Sequence, residues 1–315
     1  MSFAFVFPGQ GSQSVGMLAA LAAAEPVVQQ TFAEASAVLG YDLWQLTQNG
    51  PESALNQTER TQPAMLAAGV ATWRVWRGRG GGLPQLVSGH SLGEFTALVC
   101  AEALDFAPAI ELVRLRGQIM QEAVPAGTGA MAAILGLEDA EIEAACAEAA
   151  HGGVVEPANF NSPGQVVIAG ETAAVQRAIE AAKARGAKRA VLLPVSVPSH
   201  TTLMKAAAAR LAEKLRALTV RTPHVRFLSA VDAAEHAQPD EIRALLVRQL
   251  SSPVRWSQTL RAITATGVSQ VIECGPGKVL TGLNRRIEKR EGLEYPALED
   301  LAALDAALAT TRGAG

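Results

Sequence analysis

The chain of 315 residues carries 27 Lys and Arg against 30 Asp and Glu, a formal charge of −3, with 49% hydrophobic and 18% charged residues. This composition can fill a large core and is not that of a disordered chain. The slight acidity and the 4% aromatic content argue against nucleic-acid partners, which call for basic patches and stacking rings. No run reaches the roughly 18 uncharged apolar residues of a membrane span, and no basic segment leads an apolar start, so the expected setting is cytoplasmic.

At roughly 150 residues per domain, the length allows two domains or one large domain with an insert. The first apolar run, 2–7 (SFAFVF), ends at Pro8-Gly9 and reads as a buried strand. Helical patterns follow near 17–24, over 26–39 and over 61–76, with 77–83 (RGRGGGL) as a surface loop. Residues 85–88 form a second buried strand and 92–101 a helix. Asp105 is placed to cap a long helix reaching about residue 123.

The texture changes at 125–129 (PAGTG). From there the order is strand 130–135, helix 139–149, strand 154–159, strand 165–169, helix 173–185 and strand 189–194. This βαββαβ order within about seventy residues is that of a split-βαβ, ferredoxin-like unit, and predicts an inserted subdomain over 126–197. The flanking 1–125 and 198–315 then form one α/β catalytic domain with a parallel sheet. Its second half reads as helix 201–218, strand 226–229, helices 239–250 and 256–266, strand 269–273, a Gly-Pro-Gly turn into another helix, and an alanine-rich helical tail fraying over 312–315. Cys100, Cys146 and Cys274 are widely spaced and form no CxxC pair, which fits buried reduced thiols and not a zinc site or disulfide framework.

Gly89-His90-Ser91-Leu92-Gly93 matches G-x-S-x-G between a predicted strand and a predicted helix, the setting of a nucleophile elbow. There the glycines relieve crowding, and Ser91 projects its hydroxyl at a helix N-terminus that favours developing negative charge. The same residues also suit a serine N-cap with packing glycines. Phe7-Pro8-Gly9-Gln10-Gly11-Ser12 also follows a strand. If Ser91 is a nucleophile, two N–H groups must hold the oxyanion, and those of Leu92 and Gln10 are the candidates. Otherwise the loop is an ordinary glycine-rich turn. No P-loop motif is present.

A serine nucleophile needs a base, and the chain has five histidines. His90 lies inside the elbow, where its side chain should diverge from Ser91. His151, His224 and His236 fall in polar loops or just before a strand. His200, in Val197-Pro198-Ser199-His200 at a predicted helix start, is the best candidate, because a helix N-terminus keeps an imidazole neutral. No acid stands out to complete a triad, so a Ser–His dyad oriented by a carbonyl or amide is expected. In the helix after Asp105, Phe106, Ile110, Val113, Gly117 and Met120 share one stripe; Arg116 lies about 60° from its centre and Arg114 about 100°. An inward-leaning arginine calls for an anion, and a substrate carboxylate held bidentately fits. A boundary arginine reaching water fits equally.

Taken in order, FVFPGQGSQ, TQPAML (61–66), GHSLGE (89–94), RLRGQIM (114–120), NFNSPGQVVIAG (159–170), PVSVPSH (194–200) and ECGPGKVLTGL (273–283) give the chain a resemblance spanning nearly its whole length. It resembles the malonyl-CoA:acyl carrier protein transacylases, the stand-alone acyltransferases of bacterial fatty-acid synthesis. The resemblance implies a hydrolase-like α/β domain with a ferredoxin-like insert, a Ser91 nucleophile, a His200 base and oxyanion donors at Gln10 and Leu92. It further implies that Arg116 binds the malonyl carboxylate, that the Gln249 carbonyl orients His200, and that Gln62 and His90 lie in the pocket. The implied reaction is ping-pong through an acyl-serine, with malonyl-CoA and acyl carrier protein as partners and no metal or redox cofactor. An acidic carrier would require a local basic patch, with Lys188-Arg189 and Arg285-Arg286 with Lys289-Arg290 as candidates. A malonate decarboxylase-type malonyltransferase and a Ser–His esterase or patatin-like lipase are the rival readings.

Overall fold

In a computed structural model, residues 2–125, 127–195 and 197–312 are described. The boundary expected at Ala126, Ser196 of the PVSVPSH motif, and the fraying expected at 313–315 lie outside them.

The first strand, β1 (Phe3–Phe7), is buried along its whole length. Its alternate side chains feed two different cores, as a period of two dictates. Phe3, Phe5 and Phe7 join one cluster, where the Trp73 and Trp76 rings meet them edge-on. Ala4 and Val6 join the cluster on the opposite face with Trp256, Leu260 and Ile263. A strand covered on both faces reads as continuously apolar, and so does this one.

After β1 come α1 (Ala19–Ala24), α2 (Pro26–Leu39), α3 (Leu43–Asn49), α4 (Glu52–Leu55) and α5 (Thr58–Gly78). Helices α3 and α4 had no counterpart in the sequence reading. They are too short for a periodic stripe, although Asp42 caps α3 by accepting from the Gln45 N–H at 2.8 Å. Helix α5 reaches Gly78, so the predicted loop at 77–83 begins two residues late. Strand β2 (Leu86–Gly89), α6 (Gly93–Cys100) and α7 (Phe106–Glu122) follow. Asp105 stands at the N-cap of α7 but makes no capping bond. Its carboxylate is held by both Arg221 Nη atoms at 2.8 and 2.9 Å, so a long-range ion pair replaces the expected local cap.

The next stretch comprises β3 (Gly129–Leu135), α8 (Asp139–Ala150), β4 (Val155–Ser162), β5 (Gln165–Glu171), α9 (Thr172–Ala184) and β6 (Arg189–Leu192). The four strands form an antiparallel sheet in the order β4-β5-β3-β6. Ile142 and Cys146 of α8 and Val175 and Ile179 of α9 pack against Ile134, Val166 and Ile168 of that sheet.

The chain then runs through α10 (Lys205–Arg216), β7 (Arg226–Ser229), β8 (Ala234–His236), α11 (Pro239–Arg248), α12 (Trp256–Ala265), β9 (Gln270–Glu273), α13 (Val279–Ile287) and α14 (Leu301–Arg312). A 3₁₀ turn at Thr202–Met204 precedes α10, where one continuous helix was expected. Strand β8 was not anticipated. It has three residues and a mostly exposed pattern, and it forms a hairpin with β7. The larger sheet has the order β8-β7-β2-β1-β9, parallel throughout except for the β7–β8 hairpin. The smaller sheet is tied at β4 to the segment leading into α12, where Phe160 N–H donates to Val254 O and Val254 N–H donates to Ala158 O, each at 2.9 Å. Glu156 of β4 also accepts from the backbone N–H and the hydroxyl of Thr202, at 2.8 Å each.

Cys100, Cys146 and Cys274 are free and buried. Among the described residues no helix is long and apolar enough to cross a membrane, and no acidic, His or Cys cluster could hold a metal ion.

Candidate active site

The site is assembled where β1 and β2 end side by side, with Phe7 in register with Gly89. Between β2 and α6 the chain turns so sharply that Ser91 adopts φ 51°, a left-handed conformation costing a non-glycine residue on the order of 1 kcal/mol. Close approach is possible only because Gly9, Gly89 and Gly93 lack side chains. A Cβ on Gly89 would lie 2.0 Å from the Gly93 carbonyl carbon, one on Gly93 2.0 Å from Phe7 O, and one on Gly9 2.4 Å from His90 O. The Pro8-Gly9-Gln10 loop is thereby pressed against the elbow. Among the described residues neither the Gln10 nor the Leu92 N–H donates to a protein acceptor.

Ser91 Oγ lies 2.8 Å from His200 Nε2, and His200 Nδ1 lies 2.8 Å from the Gln249 carbonyl oxygen. A carbonyl only accepts, so Nδ1 carries the proton and Nε2 is free to accept the Ser91 O–H. His200 is also left-handed, at φ 65°, and its own N–H donates to Leu250 O at 3.0 Å. Burial, followed by the nearby Arg116 charge, pulls its pKa down to about 3, so the ring is neutral across the physiological range.

Arg116 is 1% exposed. Its Nη1 donates to Gln62 Oε1 at 2.9 Å, and its Nη2 donates to Gln249 Oε1 at 2.9 Å and to Ser91 Oγ at 3.1 Å. The guanidinium stands over the Phe95 ring, and its Nε has no partner. Every acceptor it has is neutral; among the described residues no carboxylate reaches it as an ion pair. Burial lowers its pKa to about 10, which leaves it charged at neutral pH. Packing agrees with the helical pattern, which leans Arg116 toward the core and Arg114 away from it, and it removes the alternative of an Arg116 head reaching water. Arg114 is only half-buried and lies near Tyr41, away from Ser91.

His90 diverges from Ser91, with its Nε2 2.9 Å from Asn161 Oδ1 on β4 and its ring against Trp256. The remaining histidines lie elsewhere. His151 ends α8, His224 pairs with Glu102, and His236 pairs with Asp232. Gln62 and Gln249 flank the guanidinium from α5 and from the 3₁₀ turn Gln249–Ser251, so the structure gathers Ser91, His200, Arg116, Gln62 and Gln249 into one hydrogen-bonded cluster.

Two polar residues of this cluster carried no role in the sequence reading. Asn161 is one. Glu94 is the other, fully buried on α6 and bonded to Ser229, Ala230 and Gln249. Burial pushes its pKa up to about 7. An acid on a helix is by default solvent-exposed. The signal against that default was local, since GEFTALVC has one acid among residues apolar all round, and such a helix is buried on every side.

The acyl transferase domain family matches residues 4–295. The malonyl CoA-acyl carrier protein transacylase of Salmonella typhimurium is 59% identical over 306 residues, covering 97% of this chain and 98% of that protein. Among solved structures, an acyl carrier protein S-malonyltransferase from Vibrio cholerae superposes with a TM-score of 0.94 at 59% identity, covering 98% and 100% of the two chains. A malonyl-transacylase solved in complex with a type II PKS acyl-carrier protein superposes with a TM-score of 0.96 at 58% identity, over the same shares.

Proposed function

Because this chain belongs to the acyl transferase domain family, we propose that it moves the malonyl group of malonyl-CoA onto the pantetheine thiol of an acyl carrier protein in fatty-acid biosynthesis. The observation that carries this reading is Arg116, a buried cation without an ion-pair partner among the described residues, hydrogen-bonded to the serine that faces a neutral histidine. A buried guanidinium beside a nucleophile is a receptor for an acyl group that ends in a carboxylate.

In this mechanism His200 Nε2 takes the Ser91 proton as Oγ attacks the thioester carbonyl. The Gln10 and Leu92 N–H groups hold the oxyanion, each such donor lowering the barrier by roughly 3 kcal/mol. The C–S bond then breaks, and the imidazolium returns its proton to the leaving coenzyme A thiolate. In the second half His200 deprotonates the carrier's thiol, whose sulfur attacks the acyl-serine, and the proton returns to Ser91. The Gln249 carbonyl stabilises the imidazolium between these steps and needs no carboxylate to do so. Gln62 and His90 line the acyl pocket, and the reaction calls for no metal or redox cofactor.

We read the four-stranded sheet with α8 and α9 as a ferredoxin-like insert over 126–197 in a hydrolase-like domain of 1–125 and 198–315. The strand order β4-β5-β3-β6, antiparallel with both helices packed on the sheet, supports this. The free thiols fit a cytoplasmic protein. For an acidic carrier, Lys188, Arg189, Arg285, Arg286 and Lys289 are all exposed. Arg290 is also exposed, but its guanidinium is spent on the carbonyls of Thr264 and Val268. An esterase would have no use for Arg116.

The test is to incubate the protein with isotope-labelled malonyl-CoA, with and without carrier protein, and to locate the label by mass spectrometry. Label on Ser91 that passes to the carrier is expected. Label absent from Ser91, or released only as free malonate, would sink the transferase reading. Arg116→Ala is expected to lower kcat/KM for malonyl transfer on the order of 10²-fold, about 3 kcal/mol, while lowering acetyl transfer only several-fold. Equal losses in steady-state assays with the two donors would refute the anchor role.

A further inference from the structure

Glu94 is used by no step above, yet it lies at the centre of the hydrogen bonds that aim the site. Its Oε1 accepts from Ser229 Oγ at 2.8 Å and from the Ala230 N–H, and its Oε2 accepts from Gln249 Nε2. Each of these partners donates to a carboxyl oxygen, so the pocket around Glu94 is built for an acceptor on both oxygens. Gln249 Nε2 gives its second hydrogen to the Ser91 carbonyl oxygen at 2.9 Å, and Gln249 Oε1 accepts from Arg116 Nη2 at 2.9 Å. Ser91 O can only accept and Arg116 can only donate, so a single orientation of the Gln249 carboxamide satisfies both, and it turns Nε2 toward Glu94.

We propose that Glu94 is a positioning residue that locks the Gln249 carboxamide and through it the Arg116 guanidinium, and so sets the preference for an acyl group bearing a carboxylate. The two roles of Gln249 are separable. Its backbone carbonyl orients His200 for any acyl group, whereas its side chain holds Arg116, which matters for a carboxylate. Replacing Glu94 with Gln puts an N–H group where the network needs an acceptor. Ser229 Oγ and the Ala230 N–H converge on one oxygen and hold the amide oxygen there, so the new N–H faces Gln249; either two donors then face each other at Gln249, or Gln249 flips and sets its own N–H against Arg116 and its oxygen against Ser91 O.

The sign of the effect separates positioning from charge. Removing a negative charge near Arg116 would by itself strengthen binding of an anion. Loss of positioning weakens it. This inference rests on the reading of Arg116 as the carboxylate anchor, so Arg116→Ala is measured alongside.

The experiment is steady-state transfer to the carrier from malonyl-CoA and from acetyl-CoA, by the native enzyme, Glu94→Gln, Gln249→Met and the double variant. Glu94→Gln is expected to lower kcat/KM for malonyl roughly 20-fold, mostly through KM, and for acetyl only about threefold. The double variant is expected to lose no more than the worse single one, because both break one network. A lower malonyl KM, equal losses for the two donors, or additive losses overturn the proposal. If Glu94→Gln does not fold, Gln249→Met decides alone by the same malonyl-against-acetyl split. A malonyl-selective Arg116→Ala beside a donor-blind Glu94→Gln removes this inference and leaves the anchor standing, whereas a donor-blind Arg116→Ala removes both.

Discussion

Ser91→Ala is expected to abolish formation of the malonyl-enzyme and to lower kcat for transfer at least about 10⁴-fold. The hydroxyl is the only group of the cluster that can both lose a proton to His200, at 2.8 Å, and form the acyl bond. What remains is the binding of the donor beside Arg116 and the oxyanion donors, which still favour direct attack by the carrier thiol over the reaction in water. The fold should persist, because alanine and serine pay the same left-handed backbone cost at φ 51°, and Arg116 keeps its bonds to Gln62 and Gln249. Intact-mass measurement after mixing with malonyl-CoA, with circular dichroism as the folding control, checks this. A malonyl adduct on the variant would move the nucleophile elsewhere.

His200→Ala is expected to lower kcat about 10³- to 10⁴-fold for malonyl and acetyl donors alike, since the base serves both. The buried position of the ring adds a pH signature. Its pKa of about 3 in the folded protein lies far below the roughly 6.5 of an unfolded histidine. Between those values the unfolded chain binds more protons than the folded one, so stability falls as pH drops from about 6.5 toward 3, and above 6.5 this group adds no slope. His200→Ala should therefore lose less stability than the native protein when urea unfolding is compared at pH 7 and pH 5. A steeper loss in the variant would contradict a neutral buried imidazole. The same depressed pKa means that the native enzyme's base stays competent at pH 5, where a solvent-exposed histidine would be largely protonated.

How much of this was legible beforehand depended on the range of the interaction. Helices such as α2 and α7 were readable because their apolar pattern is long, and strands such as β1 and β2 because a short apolar run ends at Pro8-Gly9 or at Gly89. Helices α3 and α4 and strand β8 were not, because seven, four and three residues are too few to establish a period. Asp105 shows the same limit for polar groups. Its position predicted a cap, but Arg221, 116 residues away, offered two bonds from a cation in place of one from a backbone N–H.

For the site, local chemistry singled out the G-x-S-x-G turn, the glycine-rich loop after β1 and a histidine at a predicted helix start, because each is a short-range feature of the chain. The helical pattern favoured Arg116 over Arg114 as the inward-leaning arginine but left open whether its head reaches water, and packing decided that, since what the guanidinium meets is a property of how α7 docks and not of its own period. The Glu94–Gln249–Arg116 connection lies further out of reach. It joins α6, the turn before Ser252 and α7 across 155 and 133 residues of chain, and no local pattern encodes which donor will meet which acceptor. The amino-acid sequence by itself determined the class of fold, the elbow and the kinds of side chain available for chemistry. Only the tertiary structure decided which of them share one buried space, where a cation held by neutral acceptors, a neutral imidazole and a carboxyl with a raised pKa acquire their properties from desolvation and from one another.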